Sequence, residues 1–154
     1  MNMKYAIILF FLVFVSSCFG QLKEVVSMEE EGWKTYQVIE NIKIEYRIDK
    51  CEDGENNNEV WAVFRFTNNS LSEKEISWTP KWERDNVCVN CNYLNDKEFK
   101  HTIHLAPNET IQGEACVNKD SRTYIFSHFV TVYPGMDKKK LTSFEFIDIT
   151  VKEI

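Results

Sequence analysis

Glycine and proline are scarce in this chain, which has five glycines and three prolines among 154 residues. So few turn-forming residues exclude a collagen-like, low-complexity or linker protein. Basic residues are also in deficit, because 18 lysines and arginines face 24 aspartates and glutamates. The resulting net charge of −6 argues against a nucleic-acid-binding surface. The sequence has no phosphate-binding loop, Gly-x-Ser-x-Gly elbow or His-Glu-x-x-His motif, so we expect no enzymatic activity.

The rest of the composition is that of an ordinary folded domain. Hydrophobic residues make up 44% of the chain, aromatic residues 14% and charged residues 27%. These proportions exclude an intrinsically disordered protein. The length favours a single domain with a substantial hydrophobic core.

The first twenty residues are arranged like a secretory signal peptide. One cation, Lys4, precedes eleven apolar residues from 5 to 15, and small residues follow up to Gly20. The apolar run is shorter than the roughly 20 residues that span a membrane. We therefore interpret residues 1–20 as a signal peptide and expect the mature protein to be exported.

Two cleavage positions fit this segment equally well. Cleavage after Gly20 would make Gln21 the first residue of a secreted protein and would discard Cys18. Residues 15–18, Val-Ser-Ser-Cys, resemble the lipobox of bacterial lipoproteins. That resemblance implies that Cys18 carries a lipid, which would anchor the protein in the periplasm or at the outer membrane.

Most of the mature chain alternates polar and apolar residues with the period of β-strands. Residues 42–49 place four apolar side chains on one face and four charged side chains on the other. Residues 60–67 are apolar on both faces apart from Arg65, which predicts a central strand. Further strands are predicted at 99–105, 110–117 and 124–133.

The last apolar run of the chain changes phase. Phe144 and Phe146 share one face, whereas Ile147, Ile149 and Val151 share the other. A change of phase within a strand predicts a β-bulge or a strand that passes from one sheet to another.

The strand pattern predicts an all-β fold, namely an immunoglobulin-like antiparallel β-sandwich of about seven or eight strands. No part of the mature chain has a sustained helical period, which disfavours an alternation of strands and helices. We expect the sandwich to span residues 33–154, with 21–32 as a polar spacer or a short edge strand.

Four cysteines follow the signal segment, and an even number in an exported domain favours disulfide bonds. Four cysteines allow three pairings. Cys88 and Cys91 lie in one loop, and Cys51 and Cys116 each end a predicted strand, so we favour Cys88–Cys91 with Cys51–Cys116. A zinc site or a redox-active Cys-x-x-Cys is disfavoured, because the compartment is oxidising and the pair lacks a helix N-terminus.

Cys51, Trp61 and Cys116 together resemble the Cys…Trp…Cys framework of immunoglobulin domains. The chain departs from that framework in two ways. Cys51 is out of phase with the inward residues of its strand, and Glu114 stands where the framework has a tyrosine. We therefore expect the sandwich but not a true antibody-type domain.

The histidines do not form a metal-binding pattern. His101 and His104 are three residues apart on a predicted strand, so their side chains point to opposite faces. We expect His101 to be buried and hydrogen-bonded and His104 to face solvent. No metal or other cofactor is expected.

Trp78 and Trp82, which flank Pro80, are the most suggestive candidates for a binding surface. Two tryptophans around a proline can form an exposed platform for a sugar or a protein partner. The same residues also fit a place in the core. Solvent exposure of the two rings decides between these interpretations.

The function expected from these observations is that of a binding or accessory module, free or lipid-anchored, which holds an extracellular or envelope protein or a glycan. One alternative is carbohydrate recognition through Trp78 and Trp82. The other is an enzyme whose site is assembled from residues far apart in the chain. No nucleic-acid partner is expected, and a membrane is contacted only through a lipid on Cys18.

Overall fold

The structure, a computed structural model, describes residues 21–28, 31–51, 58–114 and 120–154. Within these residues the chain forms ten β-strands, two short 3-10 turns and no α-helix. The strands are β1 (Lys23–Val25), β2 (Lys34–Ile39), β3 (Ile42–Cys51), β4 (Glu59–Asn68), β5 (Lys74–Arg84), β6 (Val87–Cys88), β7 (His101–Leu105), β8 (Thr110–Gln112), β9 (Tyr124–Phe129) and β10 (Leu141–Glu153). The 3-10 turns are Cys91–Tyr93 and Lys97–Phe99. The predicted signal segment, with Cys18, lies outside the described residues.

The strands form two antiparallel sheets that pack face to face. Sheet A has the order β1-β10-β5, and β6 and β7 pair with the two ends of the far edge of β5. Sheet B has the order β2-β3-β4, and β8 and β9 share the far edge of β4 in the same way. The predicted antiparallel β-sandwich is therefore confirmed, whereas its immunoglobulin-like form stays a prediction.

The core between the sheets is built mainly from aromatic rings. Phe64 of β4 contacts Phe144 and Phe146 of β10, with ring centroids 5.1 and 4.9 Å apart. Tilted and edge-to-face contacts of this kind add to the stabilisation that comes from burial. Tyr36 of β2 also links the layers, because its hydroxyl accepts a hydrogen bond from the Phe146 N–H at 3.0 Å and donates one to the Leu22 carbonyl at 2.6 Å.

Several predicted strands are confirmed. The alternating residues from Ile42 form β3, and the apolar run from Val60 lies in β4, which has neighbours on both edges as expected of a central strand. The register of β10 against β5 shifts between Ile147 and Thr150, where Asp148 has a φ of 54°. The phase change in the sequence is therefore a β-bulge.

The sequence pattern does not reveal β2 or β5. A register shift between Thr35 and Gln37 breaks the alternation of β2, and β5 contains a proline, which is rare in strands. β1 lies within residues 21–32, the segment interpreted as a spacer or a short edge strand, and it pairs with β10 at the edge of sheet A.

Candidate functional site

The two tryptophans of the predicted platform lie on the inward face of β5. Trp78 is only 2% exposed, and its ring packs against Phe66 with the centroids 4.7 Å apart. The two-tryptophan platform is therefore wrong. Residues four apart on a strand share one face, and here that face is turned toward sheet B. Trp82 is partly buried and lines a pocket beside the core, whose lining also includes Trp61, Tyr124 and Phe126 of a second hydrophobic cluster.

A gap in sheet A creates room beside Trp82. β7 pairs with residues 74–78 of β5 and β6 with residues 83–84, and no other strand in the described part of the chain pairs with the edge between them. Asn90, which is 2% exposed, fills this gap. Its side-chain amide donates to the Pro80 carbonyl at 2.7 Å, and its Oδ1 accepts from the Trp82 N–H at 3.2 Å. Pro80 is tolerated in β5 because its nitrogen, which cannot donate, lies at this unpaired edge.

A disulfide bond holds the loop that carries Asn90. Cys88 and Cys91 are bonded, as predicted, and they enclose only Val89 and Asn90. The Val89 N–H donates to the Trp82 carbonyl at 3.0 Å, so the loop is fixed to β5 through its backbone as well. The loop therefore forms a supported wall of the pocket.

Only one cysteine of the second predicted disulfide lies among the described residues. Cys51 is disulfide-bonded and buried at the end of β3. Cys116 lies outside the described residues, so the pairing Cys51–Cys116 stays a prediction. Trp61 packs with Cys51 on the face of sheet B that is turned away from the core, which differs from the Trp of an immunoglobulin core.

The pocket has a volume of about 340 Å³ and opens between β5 of sheet A and β9 of sheet B. Five aromatic side chains line it, namely Trp61, Trp82, Phe99, Tyr124 and Phe126. The other lining residues are three apolar ones, Pro80, Val89 and Ile125, and four polar or charged ones, Arg84, Glu98, His101 and Ser121. This volume and this lining are those of a small-molecule site.

The rings contributed by sheet B form one connected group. Trp61 of β4 lies edge to face with Tyr124 and Phe126 of β9, at centroid distances of 4.7 and 5.0 Å. Neighbouring strands place these rings side by side, because Trp61 and Phe126 are directly paired across β4 and β9. Mutual contact restricts the rings and makes this wall rigid.

The rings contributed from the side of sheet A form a row that reaches solvent. Trp82 lies 6.1 Å from Phe99, and Phe99 lies 6.4 Å from Tyr93, measured between ring centroids. Tyr93 is 53% exposed. The row therefore extends from the pocket to the surface of the loop between β6 and β7.

His101 is the buried polar side chain of the pocket wall. It is 9% exposed, and its ring lies edge-on to Trp78 at 5.6 Å. Burial lowers its pKa from the ordinary value of 6.5, against the opposing effect of Asp120, so the imidazole is neutral at pH 7. The prediction that His101 is buried is confirmed. Within residues 21–28, 31–51, 58–114 and 120–154 its ring nitrogens have no hydrogen-bond partner, so the expected hydrogen bond stays a prediction.

Arg84 lies at one side of the pocket and is held by three partners. Its guanidinium donates to the carbonyls of Ser127 at 3.0 Å and Lys139 at 2.6 Å, and it forms an ion pair with Asp137 at 2.9 Å. The Arg84 Cζ also lies 5.3 Å from the centroid of the Phe126 ring. The charge of Arg84 is therefore compensated, and the side chain acts as part of the wall.

The other charged side chains near the pocket differ in whether they form ion pairs. The guanidinium of Arg122 donates three hydrogen bonds of 2.9, 3.1 and 2.7 Å to the Asp120 carboxylate, and this contact lowers the pKa of the Asp120 carboxyl. Ser121, between them in the chain, lines the pocket. Glu98 also lines the pocket and has no ion pair with any described residue.

The structure gives no support to a metal site or a membrane-spanning helix in the ranges that it describes. No three His, Cys, Asp or Glu side chains there are grouped so as to hold a metal ion. His104 faces solvent, as predicted, with its Nε2 at 3.4 Å from Glu75. No helix in the described ranges is long and apolar enough to cross a membrane.

Three lining residues, Phe99, Tyr124 and Phe126, were not candidates from the sequence. The only signal for them was the high aromatic content of the segments that begin at 99 and 124. A strand pattern predicts which face a ring occupies but not which ring of a distant strand lies opposite.

The fold and the site together define the class of protein, an antiparallel β-sandwich with an aromatic pocket between the edges of its sheets. Comparison with protein-family models, curated proteins and solved structures finds no significant match to this chain.

Proposed function

We propose that this protein is a binding module whose pocket holds a small molecule with an apolar or aromatic body. The observation that carries the proposal is the cavity of about 340 Å³ lined by five aromatic side chains. Such side chains present large apolar surface with few rotatable bonds, so a ligand buries much area at a small entropic cost.

Several contacts support a preformed pocket. The Cys88–Cys91 bond and the Asn90 bridge hold one wall, and the partners of Arg84 hold another. A site that is ordered before the ligand arrives loses less conformational entropy on binding. Binding rather than catalysis is proposed, because no described residue lies within hydrogen-bond reach of the His101 ring to act with it.

We also propose that the protein acts outside the cytoplasm, either secreted or anchored through Cys18. The charged start and short apolar run of residues 1–20 support export. The Cys88–Cys91 disulfide supports an oxidising compartment. A sugar is a poorer ligand for the pocket than an apolar molecule, because an apolar lining leaves most hydroxyl groups without partners.

Titration of the mature protein with N-phenyl-1-naphthylamine, a neutral aromatic dye that fluoresces in apolar sites, tests the proposal. We expect saturable binding of one dye per chain. The variant Ser121→Trp places a large ring at the exposed rim of the pocket and should abolish this binding. Leu71→Trp, at a position 90% exposed and outside the pocket, is the matched control and should bind as wild type does.

Absence of saturable dye binding to the folded wild-type protein would overturn the proposal. Equal binding by Ser121→Trp and wild type would also overturn it, because the dye would then occupy another surface. Circular dichroism of each variant establishes that it is folded. A panel of soluble glycans in the same assay tests carbohydrate recognition, and a glycan that displaces the dye at lower concentration than any apolar compound would replace the proposed ligand class.

A further inference from the structure

The aromatic lining of the pocket bears on the charge of its ligand. The face of an aromatic ring carries partial negative charge and attracts a cation, most strongly for Trp. The structure contains this interaction at the edge of the pocket, where the guanidinium of Arg84 lies 5.3 Å from the centre of Phe126. Among the described residues, no cation lies over the ring of Trp82 or Phe99.

The positive side chains near the pocket do not oppose a cationic ligand. Arg84 is neutralised by Asp137 at 2.9 Å, and Arg122 is neutralised by Asp120 at 2.7 Å. His101 is uncharged at pH 7, because burial lowers its pKa. Both arginines are therefore paired with a carboxylate, and the imidazole carries no charge.

The acidic side chain at the pocket, Glu98, differs from these two arginines in its pairing. Glu98 lines the pocket, and no described residue forms an ion pair with it. The chain as a whole carries a net charge of −6, which adds a long-range attraction for cations. An anionic ligand would be repelled, because it would lie beside the Glu98 carboxylate and against the negative faces of the rings.

His101 supplies a hydrogen-bond acceptor in the same cavity. A neutral imidazole has one nitrogen that accepts and one that donates, and neither has a partner among the described residues. Because His101 lines the pocket, a ligand held there lies beside this side chain. An ammonium N–H is a matching donor for the accepting nitrogen.

From this arrangement we infer that the ligand is an organic cation, an ammonium group carried on an apolar or aromatic body, with Glu98 as its counter-charge. The inference rests on the proposed function and names the chemical class of its ligand. Ring faces hold the apolar body and attract the charge, while Glu98 and His101 select for the ammonium group.

Competition with the neutral dye by three compounds of similar shape tests the inference. Benzylamine is a cation at pH 7.5, benzyl alcohol is neutral and benzoate is an anion. We expect benzylamine to displace the dye at a concentration about 10-fold lower than benzyl alcohol, from the size of cation–ring interactions. Benzoate should be the weakest competitor, and added salt should reduce the advantage of benzylamine.

The variant Glu98→Gln keeps the shape of the side chain and removes its charge. We expect it to lose most of the preference for benzylamine over benzyl alcohol, measured as the ratio of the concentrations at which the two compounds displace the dye from this variant. Glu73→Gln is the matched control, because Glu73 is exposed and lies just before β5, at the end of the strand away from the pocket. This control should keep the full preference.

The outcomes separate the inference from the proposed function. If the dye binds but benzyl alcohol or benzoate competes as well as benzylamine, the inference is overturned and the proposed function stands. An unchanged preference in Glu98→Gln overturns the role of Glu98 as the counter-charge. If neither the dye nor any of the three compounds binds, both the inference and the proposed function are overturned.

Discussion

Trp78 and Trp82 lie four residues apart on the same face of the same strand, yet they occupy different environments. Trp78 packs between Phe66 and Phe146, at centroid distances of 4.7 and 5.6 Å, because rings from both sheets meet there. Trp82 is paired with β10 on one edge of β5, but on the other edge no described strand lies beside it and a loop takes that place. The same side chain thus stabilises the fold at one position and lines a cavity at the other.

The surroundings of the two tryptophans show how a β-sandwich can contain a pocket without a special sequence motif. At Trp78 the sheet beside β5 is continued by β7, and the layers stay in contact. At Trp82 the side chain of Asn90 makes hydrogen bonds with the backbone of β5, but it is polar and does not fill the space between the sheets with apolar atoms. Close packing therefore ends where the regular sheet ends, and a cavity remains.

The largest expected effect is on stability and separates the two tryptophans. Trp78→Ala should lower the free energy of unfolding by about 3–5 kcal/mol, the usual cost of truncating a buried large ring. Trp82→Ala should cost less, because the ring is only partly buried, and should abolish dye binding. Urea denaturation measures both changes. Equal losses of stability would contradict the distinction between core and pocket.

An intermediate effect is expected from the Asn90 bridge. Asn90→Ala leaves the Trp82 N–H and the Pro80 carbonyl without their partner, which should cost about 1–3 kcal/mol. Dye binding should weaken at the same time, because the wall of the pocket is released. Asn92→Ala is the control, since Asn92 is exposed in the same loop. A variant at Asn90 that keeps full stability and dye affinity would show that the bridge does not support the pocket.

The smallest expected effect is a pH dependence. Burial lowers the pKa of His101 and His128 below the ordinary value of 6.5, so below pH 6.5 the unfolded chain binds more protons than the folded chain. The stabilisation is complete above pH 6.5 and is lost as the pH falls through the folded-state pKa values. His101→Gln should reduce the slope of unfolding free energy against pH below pH 6.5. An unchanged slope would show that His101 is not the buried group that titrates.

The local sequence pattern was sufficient to predict the strands that have one apolar and one polar face, or two apolar faces. The alternation from Ile42 predicts β3, and the run from Val60 predicts the central β4. The phase change after Phe146 predicts either a bulge or a switch between sheets, and the register shift shows the bulge, in which one inserted residue reverses the faces of the residues that follow. Cys88 and Cys91 were paired correctly because a separation of three residues leaves them close in any compact loop.

The pocket could not be predicted in the same way. Trp82 and Phe126 are 44 residues apart in the chain and belong to different sheets, so no local period relates them. The burial of His101 also depends on Trp78 and on neighbours from β9. These relations arise only when the two sheets pack.

The sequence by itself determined the β-sandwich, the position of the β-bulge and the short disulfide, because period, phase and close spacing are properties of a local stretch of chain. The tertiary structure alone decided that Trp78 is core and that Trp82 lines a pocket. Both residues have the same phase on β5, and what distinguishes them is that β7, supplied from elsewhere in the chain, lies at the outer edge of β5 beside Trp78 but does not extend to Trp82.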